Sequence, residues 1–521
     1  MMILGIVKDV TDPINIKIQA KEPLPLGKYV TIERDDDKCL GLVETSLSSS
    51  SAISNITNFQ EAIESVEVSK DSTRDKGFET TIRIIGTVES LKNGRPTLPS
   101  TPTIPGTKIS DIENDILKII FSPDGSKWSR IGNLLRTKEI DAKINIDEIV
   151  SRHLAILSMT GMGKSNFVTV LAREIGKRNG TAIIFDYHND YGQLELFNEQ
   201  NQKINVNHVD AKITPRILSG DQFAQIIDIP KSAIHQADIL IEIFERIREE
   251  TDFWERLEAE LILIRDGVGA IDAVIANPNG ADAAEERERR RKASRLLTRV
   301  QRARRLYSNV IDPLIENPRD SLRQNSINIL NATNFNEKQA DIGLSYYLET
   351  AFNDRKSAAS GNRDVIFQDP LFFVIEEAHT FIKVGSETET KFIAGKIAKE
   401  ARKFGMGLCV VSQRPSKVDE DVLSQMGSFA VLKMIQKRDQ DSIFNTSEEI
   451  TEKMAGHLSS LNVGEAFLTG RFVKIPTLVK IDEETKSKGF GSDISATNAW
   501  SKSIKMTKKE SSQELIDKED L

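Results

Sequence analysis

The stretch Ser158-Met-Thr-Gly-Met-Gly-Lys-Ser165 has the residue types and spacing of a phosphate-binding loop. Backbone N–H groups of a loop of small residues point inward and cradle phosphate oxygens. The N-terminus of a following helix adds partial positive charge. Ser158, Thr160, Gly161, Met162, Gly163, Lys164, Ser165 and Asn166 are therefore the expected nucleotide-binding residues. Lys164 would reach the β- and γ-phosphates, and the Ser165 hydroxyl would hold Mg²⁺. The usual pattern opens with Gly where this chain has Ser158, which is small enough to make the same turn.

Two carboxylates follow a second apolar run, Leu371-Phe-Phe-Val-Ile-Glu-Glu-Ala-His379. In a buried parallel strand they would emerge at the C-terminal end, where open α/β sheets bind ligands. Glu376 is the expected Mg²⁺-side carboxylate, and Glu377 the expected group that polarises the attacking water. Asp is usual at the first of these positions, and the longer Glu376 would reach the metal through water. Val411-Ser-Gln-Arg-Pro415 leaves two readings open for Gln413: a polar sensor of the γ-phosphate or lytic water, or a strand-to-loop turn. Arg402, beside Lys399 and Lys403 at a helix end closed by Gly405, is either part of a solvated basic face or an arginine finger crossing a subunit interface. The basic run 287–305 suits phosphate contact, packing on acidic neighbours or a subunit contact equally. Asp186-Tyr-His-Asn-Asp190 is expected near the nucleotide, but His188 with scattered carboxylates does not make a metal site. No metal beyond nucleotide-bound Mg²⁺ is expected.

These groups need an α/β scaffold. The apolar run 153–157 leads into the loop, and Phe167, Leu171 and Ile175 after it share one helical face. Strands are expected at 181–185, 326–330, 371–375, 407–411 and 429–434. The strands expected at 464–468 and 472–481 would be an antiparallel addition at the sheet edge. Residues 215–317 have helical periodicity, with candidate helices at 234–248, 252–266 and 283–307, and read as an insertion in the sheet domain. Before it, 2–10, 14–20, 28–34, 40–45 and 79–90 are short β-rich runs, which suggests a small barrel over 1–105. The Ser-rich stretch 46–54 reads as a loop, Pro96, Pro99, Pro102 and Pro105 as an extended linker, and 106–150 as a bridge with some strand into a core spanning 151–481. The Lys/Glu/Ser-rich end, 482–521, reads as a mobile tail.

The 39% hydrophobic and 28% charged composition fits an ordinary soluble globular protein. No apolar run approaches the roughly 20 residues that span a bilayer. The N-terminus lacks a basic segment before its apolar residues and reads as a strand, not a signal peptide. Cys39 and Cys409, the only two cysteines, exclude a disulfide framework and point to the reducing cytoplasm. A net charge of −8 excludes a surface that coats nucleic acid all round, so any DNA contact must be local, such as a lined channel.

The motifs together resemble the HerA family of DNA translocases, relatives of the FtsK-type pumping ATPases. The resemblance is carried in order by Arg152-His-Leu-Ala-Ile-Leu157 with the loop after it, Phe185-Asp-Tyr-His188, Val374-Ile-Glu-Glu-Ala-His379, Ala401-Arg-Lys-Phe-Gly405, Ser412-Gln-Arg-Pro415 and Val463-Gly-Glu-Ala466. It implies an α/β, RecA-like P-loop ATPase core with an N-terminal HAS barrel and an inserted helical bundle. It also implies a homo-hexameric ring with double-stranded DNA in its pore, ATP and Mg²⁺ between subunits, Arg402 acting in trans, and Arg152 as a further arginine of the ATP site. The barrel would dock a NurA nuclease for DNA end resection in double-strand-break repair. Lys383, Lys391 and Lys396 are the candidates for the pore. Two rivals are an ATPase subunit of an antiviral defence complex, since related proteins pair with other effectors, and a nucleotide-gated ring scaffold. The paired glutamates argue against a scaffold that does not hydrolyse ATP.

Overall fold

A computed structural model describes residues 2–35, 37–50, 56–69, 76–94, 96–230, 232–268, 281–447 and 450–484. The part of the Ser-rich stretch from 51 to 54 and the tail from 485 lie outside them. Six antiparallel strands close into a barrel in the order β1-β2-β5-β4-β3-β6. They are β1 Ile3–Lys8, β2 Asn15–Ala20, β3 Tyr29–Glu33, β4 Lys38–Ser50, β5 Lys76–Thr87 and β6 Lys108–Asp111. Alternation fills the barrel: Ile16, Ile18, Val30, Ile32, Ile82, Ile84 and Ile109 point inward and are buried. The structure differs from the sequence reading at three points. Ser46–Ser50, expected as loop, continue β4 and pair with β5 from Ser46↔Thr80 to Ser50↔Lys76, because backbone ladders form whatever the side chains. The 79–90 strand stops at Thr87, whose hydroxyl caps the helix Val88–Lys92. The sixth strand lies past residue 105, inside the stretch read as a bridge.

The second sheet has eleven strands in the order β11-β12-β10-β13-β14-β9-β15-β16-β17-β7-β8. The strands β9 Leu154–Leu157, β10 Thr181–Asp186, β11 Val206–Asp210, β12 Ile327–Asn331, β13 Leu371–Ile375, β14 Met406–Ser412 and β15 Ser428–Leu432 are parallel. Every residue of β9, β10, β13, β14 and β15 is buried, as helices on both faces require. An antiparallel run follows: β16 Glu465–Gly470, β17 Thr477–Ile481, β7 Trp128–Leu134 and β8 Thr137–Asn145. The expected edge pair is therefore internal, because a hairpin from 128–145 adds beyond it.

The insertion after β11 carries the helices Gly220–Ile226, Ile234–Ile247, Phe253–Asp266 and Ala281–Tyr307. Phe223 stacks on Phe244 at 4.8 Å and meets Phe253 edge-on at 5.4 Å, which holds the first three together. The barrel has its own apolar core, and Tyr29, Leu40 and Leu42 of its strands pack instead into the core of the sheet. Tyr29 packs its ring 4.8 Å from Phe121 and donates its hydroxyl to the Pro476 carbonyl at 3.0 Å. Among the described residues no helix is long and apolar enough to cross a membrane.

Candidate active site

The loop after β9 is pinned at its start. Ser158 N–H donates to the Ser412 carbonyl at 3.1 Å and Met159 N–H to the Lys433 carbonyl at 3.0 Å, so it hangs between the ends of β14 and β15. Gly163 has φ of 104°, a backbone setting that a side chain would strain, and begins the helix Lys164–Gly176. Thr160 and Gly161 are exposed, whereas Lys164 is only 8% exposed. Met162 offers its carbonyl to Gly464 N–H at 3.0 Å, which seats the loop against the β16 end.

Carboxylates from two neighbouring strands surround Lys164. Glu376 and Glu377 leave the end of β13. Asp190 and Tyr191 come from the turn after β10, which is folded back by Asp186: its carboxylate accepts N–H from both residues at 2.8 Å. Tyr191 hydroxyl donates to Glu376 Oε1 and Ser165 Oγ donates to Asp190 Oδ2 at 3.2 Å. Burial pushes the Glu376 carboxyl up to about 8, against the Tyr191 hydrogen bond and the Lys164 charge. Burial likewise lowers the Lys164 ammonium, against the attraction of Glu376, Glu377 and Asp190.

Glu377 sits at φ 51°, ψ 41°, a left-handed setting rare for a non-glycine residue. Its Oε1 accepts from Gln413 Nε2 at 2.6 Å, and Gln413 Oε1 accepts from the Thr160 hydroxyl. Its Oε2 lies 3.2 Å from His379 Nδ1 as an ion-pair contact; it is otherwise a buried oxygen without a hydrogen-bond partner among the described residues. Burial lowers the His379 ring, against the attraction of Glu377. With the Glu376 carboxyl raised by burial, one ammonium still faces the carboxylates of Glu377 and Asp190, a set that would repel a bare polyphosphate. That donor set, with the Ser165 hydroxyl and an unpartnered Glu377 oxygen, fits a nucleotide that arrives with Mg²⁺.

The structure thus brings together Ser158, Thr160, Gly161, Met162, Gly163, Lys164, Ser165, Glu376, Glu377 and Gln413. It does not bring the amide of Asn166 with them. Asn166 Nδ2 donates to the Asp482 carbonyl at 2.9 Å and its Oδ1 accepts Glu484 N–H at 3.0 Å. Both polar ends are engaged, so Asn166 clips residues 482–484, the start of the expected mobile tail, to the helix. Asp190, the end of the run expected near the nucleotide, meets Ser165, whereas Tyr191, one residue beyond that run, is a site residue the sequence does not reveal. The only sequence signal was the polar run ending β10, and Tyr191 meets a partner 185 positions away.

Arg152 and Arg402 lie at the opposite end of the parallel strands, just before β9 and β14. Arg152 is ion-paired with Glu148 at 2.6 Å, and its helix, Ile146–Arg152, packs on the turn Ala401–Phe404 that presents an exposed Arg402. Buried Arg355 secures that turn with two bonds to the Phe404 carbonyl, at 3.0 and 2.8 Å. A seven-residue strand such as β14 is about 20 Å long. Neither guanidinium can cross that distance to Lys164 of its own chain. Of the pore candidates, Lys391 pairs with Asp419 at 3.0 Å, Lys396 lies 5.8 Å from the Phe352 ring centre, and Lys383 is exposed.

Residues 129–351 match the family described as "Helicase HerA, central domain". The chain is 33% identical to the "DNA double-strand break repair helicase HerA" of Saccharolobus solfataricus, over 96% of each chain. The chain belongs to the HerA helicase family. The protein of the same description from Sulfurisphaera tokodaii is 32% identical, over 96% of this chain and 97% of that one. Among solved structures, VirB4 of Thermoanaerobacter pseudethanolicus is 14% identical over 70% of this chain and 98% of that one, with a TM-score of 0.45, a likeness too distant to carry any assignment. As a HerA-family P-loop protein, the chain is an ATP-hydrolysing enzyme.

Proposed function

We propose that the chain is an ATP-driven translocase and helicase on double-stranded DNA. It works as a homo-hexameric ring and serves a NurA-type nuclease docked on the barrel during DNA end resection. One observation carries the reading. The phosphate loop, twin glutamates and Gln413 converge at the C-terminal ends of the parallel strands, while Arg402 and Arg152 stand at their N-terminal ends. A pocket built this way is completed by a neighbouring protomer in head-to-tail contact, and such contacts close into rings. The acidic net charge supports a DNA contact confined to the pore, and the curated relatives named above are described as DNA repair helicases.

Lys164 and the backbone N–H groups of the loop hold the triphosphate. Ser165 and, through water, Glu376 would hold Mg²⁺, which supplies positive charge beside the phosphates. Glu377 receives the proton of the attacking water on Oε2, and Gln413 holds its other oxygen. Arg402 of the neighbouring protomer meets the negative charge that develops on the transferred phosphoryl group. The deciding experiment is the ATPase rate of the purified chain with and without duplex DNA and nuclease. The rate should rise with duplex and vanish in Lys164→Ala. A rate indifferent to duplex would favour the scaffold reading.

A further inference from the structure

The helix Ala281–Tyr307 carries more positive charge than its surroundings neutralise. Its apolar stripe, Ala293, Leu296, Leu297, Val300 and Ala303, is buried, and the helix packs on Phe253–Asp266. Three cations have acid partners: Arg290 with Glu286 at 3.1 Å, Lys292 with Glu288 at 3.9 Å, and Arg304 with both Glu255 and Glu258. Arg295, Arg299 and Arg302 do not share in this. With Thr298 and Gln236 they line a cleft of about 490 Å³ that has no carboxylate in its wall. Among the described residues no ion pair forms at Arg295 or Arg302. Arg299 donates to the Asp228 carbonyl at 2.8 Å, which directs it without cancelling its charge, and the Asp228 carboxylate goes to Lys338. Gln236 brings a buried amide oxygen with no partner; turning that amide over would offer its NH₂ to an anion.

Three like charges at i, i+4 and i+7 repel along a helix, and a polyanion in the cleft removes that repulsion. Arg295 and Arg302 are seven residues apart, about 10 Å of helix. A duplex advances about 3.4 Å of its axis for each phosphate of one strand, so about 10 Å of helix lying parallel to that axis spans about three phosphates of the strand. Planar forks suit phosphate oxygens and read no bases. We propose that this cleft is a DNA-backbone site on the helical insertion, separate from the nucleotide site and from the pore candidates. The proposal rests on the DNA-translocase reading and adds to it a second place where duplex is gripped.

The test measures binding of a fluorescent duplex to the full chain between 50 and 200 mM salt (roughly the range over which phosphate contacts report themselves). Arg295→Ala/Arg302→Ala should bind several-fold more weakly at the low end. Its slope of log affinity against log salt should be shallower by about 1.8, two contacts at about 0.9 each. Arg295→Lys/Arg302→Lys keeps the charges and should keep most of the slope. Arg304→Ala, whose guanidinium is already taken, should leave the slope unchanged. ATPase without DNA should match wild type in all three. Equal binding and slope in the Ala pair, with wild type binding normally, overturns the cleft and leaves the translocase standing. The same loss in Arg304→Ala would assign the effect to helix packing and also overturn the cleft. A wild-type chain that does not bind duplex overturns both.

Discussion

Gln413→Ala removes a side chain that ties the phosphate loop to Glu377. The lost contact is a 2.6 Å hydrogen bond from a neutral amide to a carboxylate that is itself only 8% exposed. Hydrogen bonds to buried charged groups contribute about 1.5–3 kcal/mol. With about 1.4 kcal/mol for each factor of ten, kcat should fall by roughly 10- to 150-fold. Gln413 touches the water-directing carboxylate and Thr160, not Lys164, so KM for ATP should move by less than about threefold. Gln413→Glu should cost more, since it sets a second carboxylate against Glu377 where the amide donor stood. Steady-state ATPase assays at saturating duplex, with nucleotide binding measured separately, distinguish these outcomes. A Gln413→Ala enzyme within twofold of wild type in kcat, or one whose whole loss lies in nucleotide affinity, would refute the role assigned to the Thr160–Gln413–Glu377 chain.

Tyr191→Phe deletes the hydroxyl donated to Glu376 and leaves a buried carboxyl one donor short. At about 1–3 kcal/mol for such a bond, the Mg²⁺ needed for half-maximal turnover should rise about tenfold; an unchanged Mg²⁺ titration would separate Tyr191 from the metal side of the site. His153 is held neutral by burial, lowered to about 4 from 6.5, and its Nδ1 accepts Leu408 N–H at 2.9 Å. The unfolded chain takes up a proton that the fold refuses, so stability is full above pH 6.5 and is lost as pH falls toward 4, by up to about 3 kcal/mol. His153→Asn keeps an acceptor for the Leu408 N–H without a titratable ring and should flatten that part of the Tm-against-pH curve. Equal acid sensitivity in both proteins would dismiss His153 as its source.

The parts legible in the sequence are those with a one-dimensional signature. β10 and β13 are continuous apolar runs because both faces are covered, and their ends deliver Asp186 and the twin glutamates. The helical insertion shows in its 3.6-residue period. What stayed hidden depends on partners in space. β4 continues through a serine run because β5 lies beside it. The hairpin of β7 and β8 joins the sheet through β17, more than 300 residues downstream. β11, half exposed at the sheet edge, has too little apolar content to announce itself. Asn166 reads as a ligand-binding neighbour of Lys164, yet two residues along the helix its amide meets residues 482–484 instead. Tyr191 carries no motif; only the Asp186 turn aims it at Glu376.

The central claim is that one triphosphate is shared between Lys164 and Glu377 of one protomer and Arg402 of the next. Mixing two inactive variants tests it most directly. In a ring assembled from equal parts of Lys164→Ala and Arg402→Ala chains, about a quarter of the interfaces pair an intact loop with an intact arginine from the neighbour. The mixture should therefore recover ATPase activity toward about a quarter of wild type, while each variant alone stays silent. A mixture as inactive as its components, after subunit exchange has been verified, would contradict a shared site.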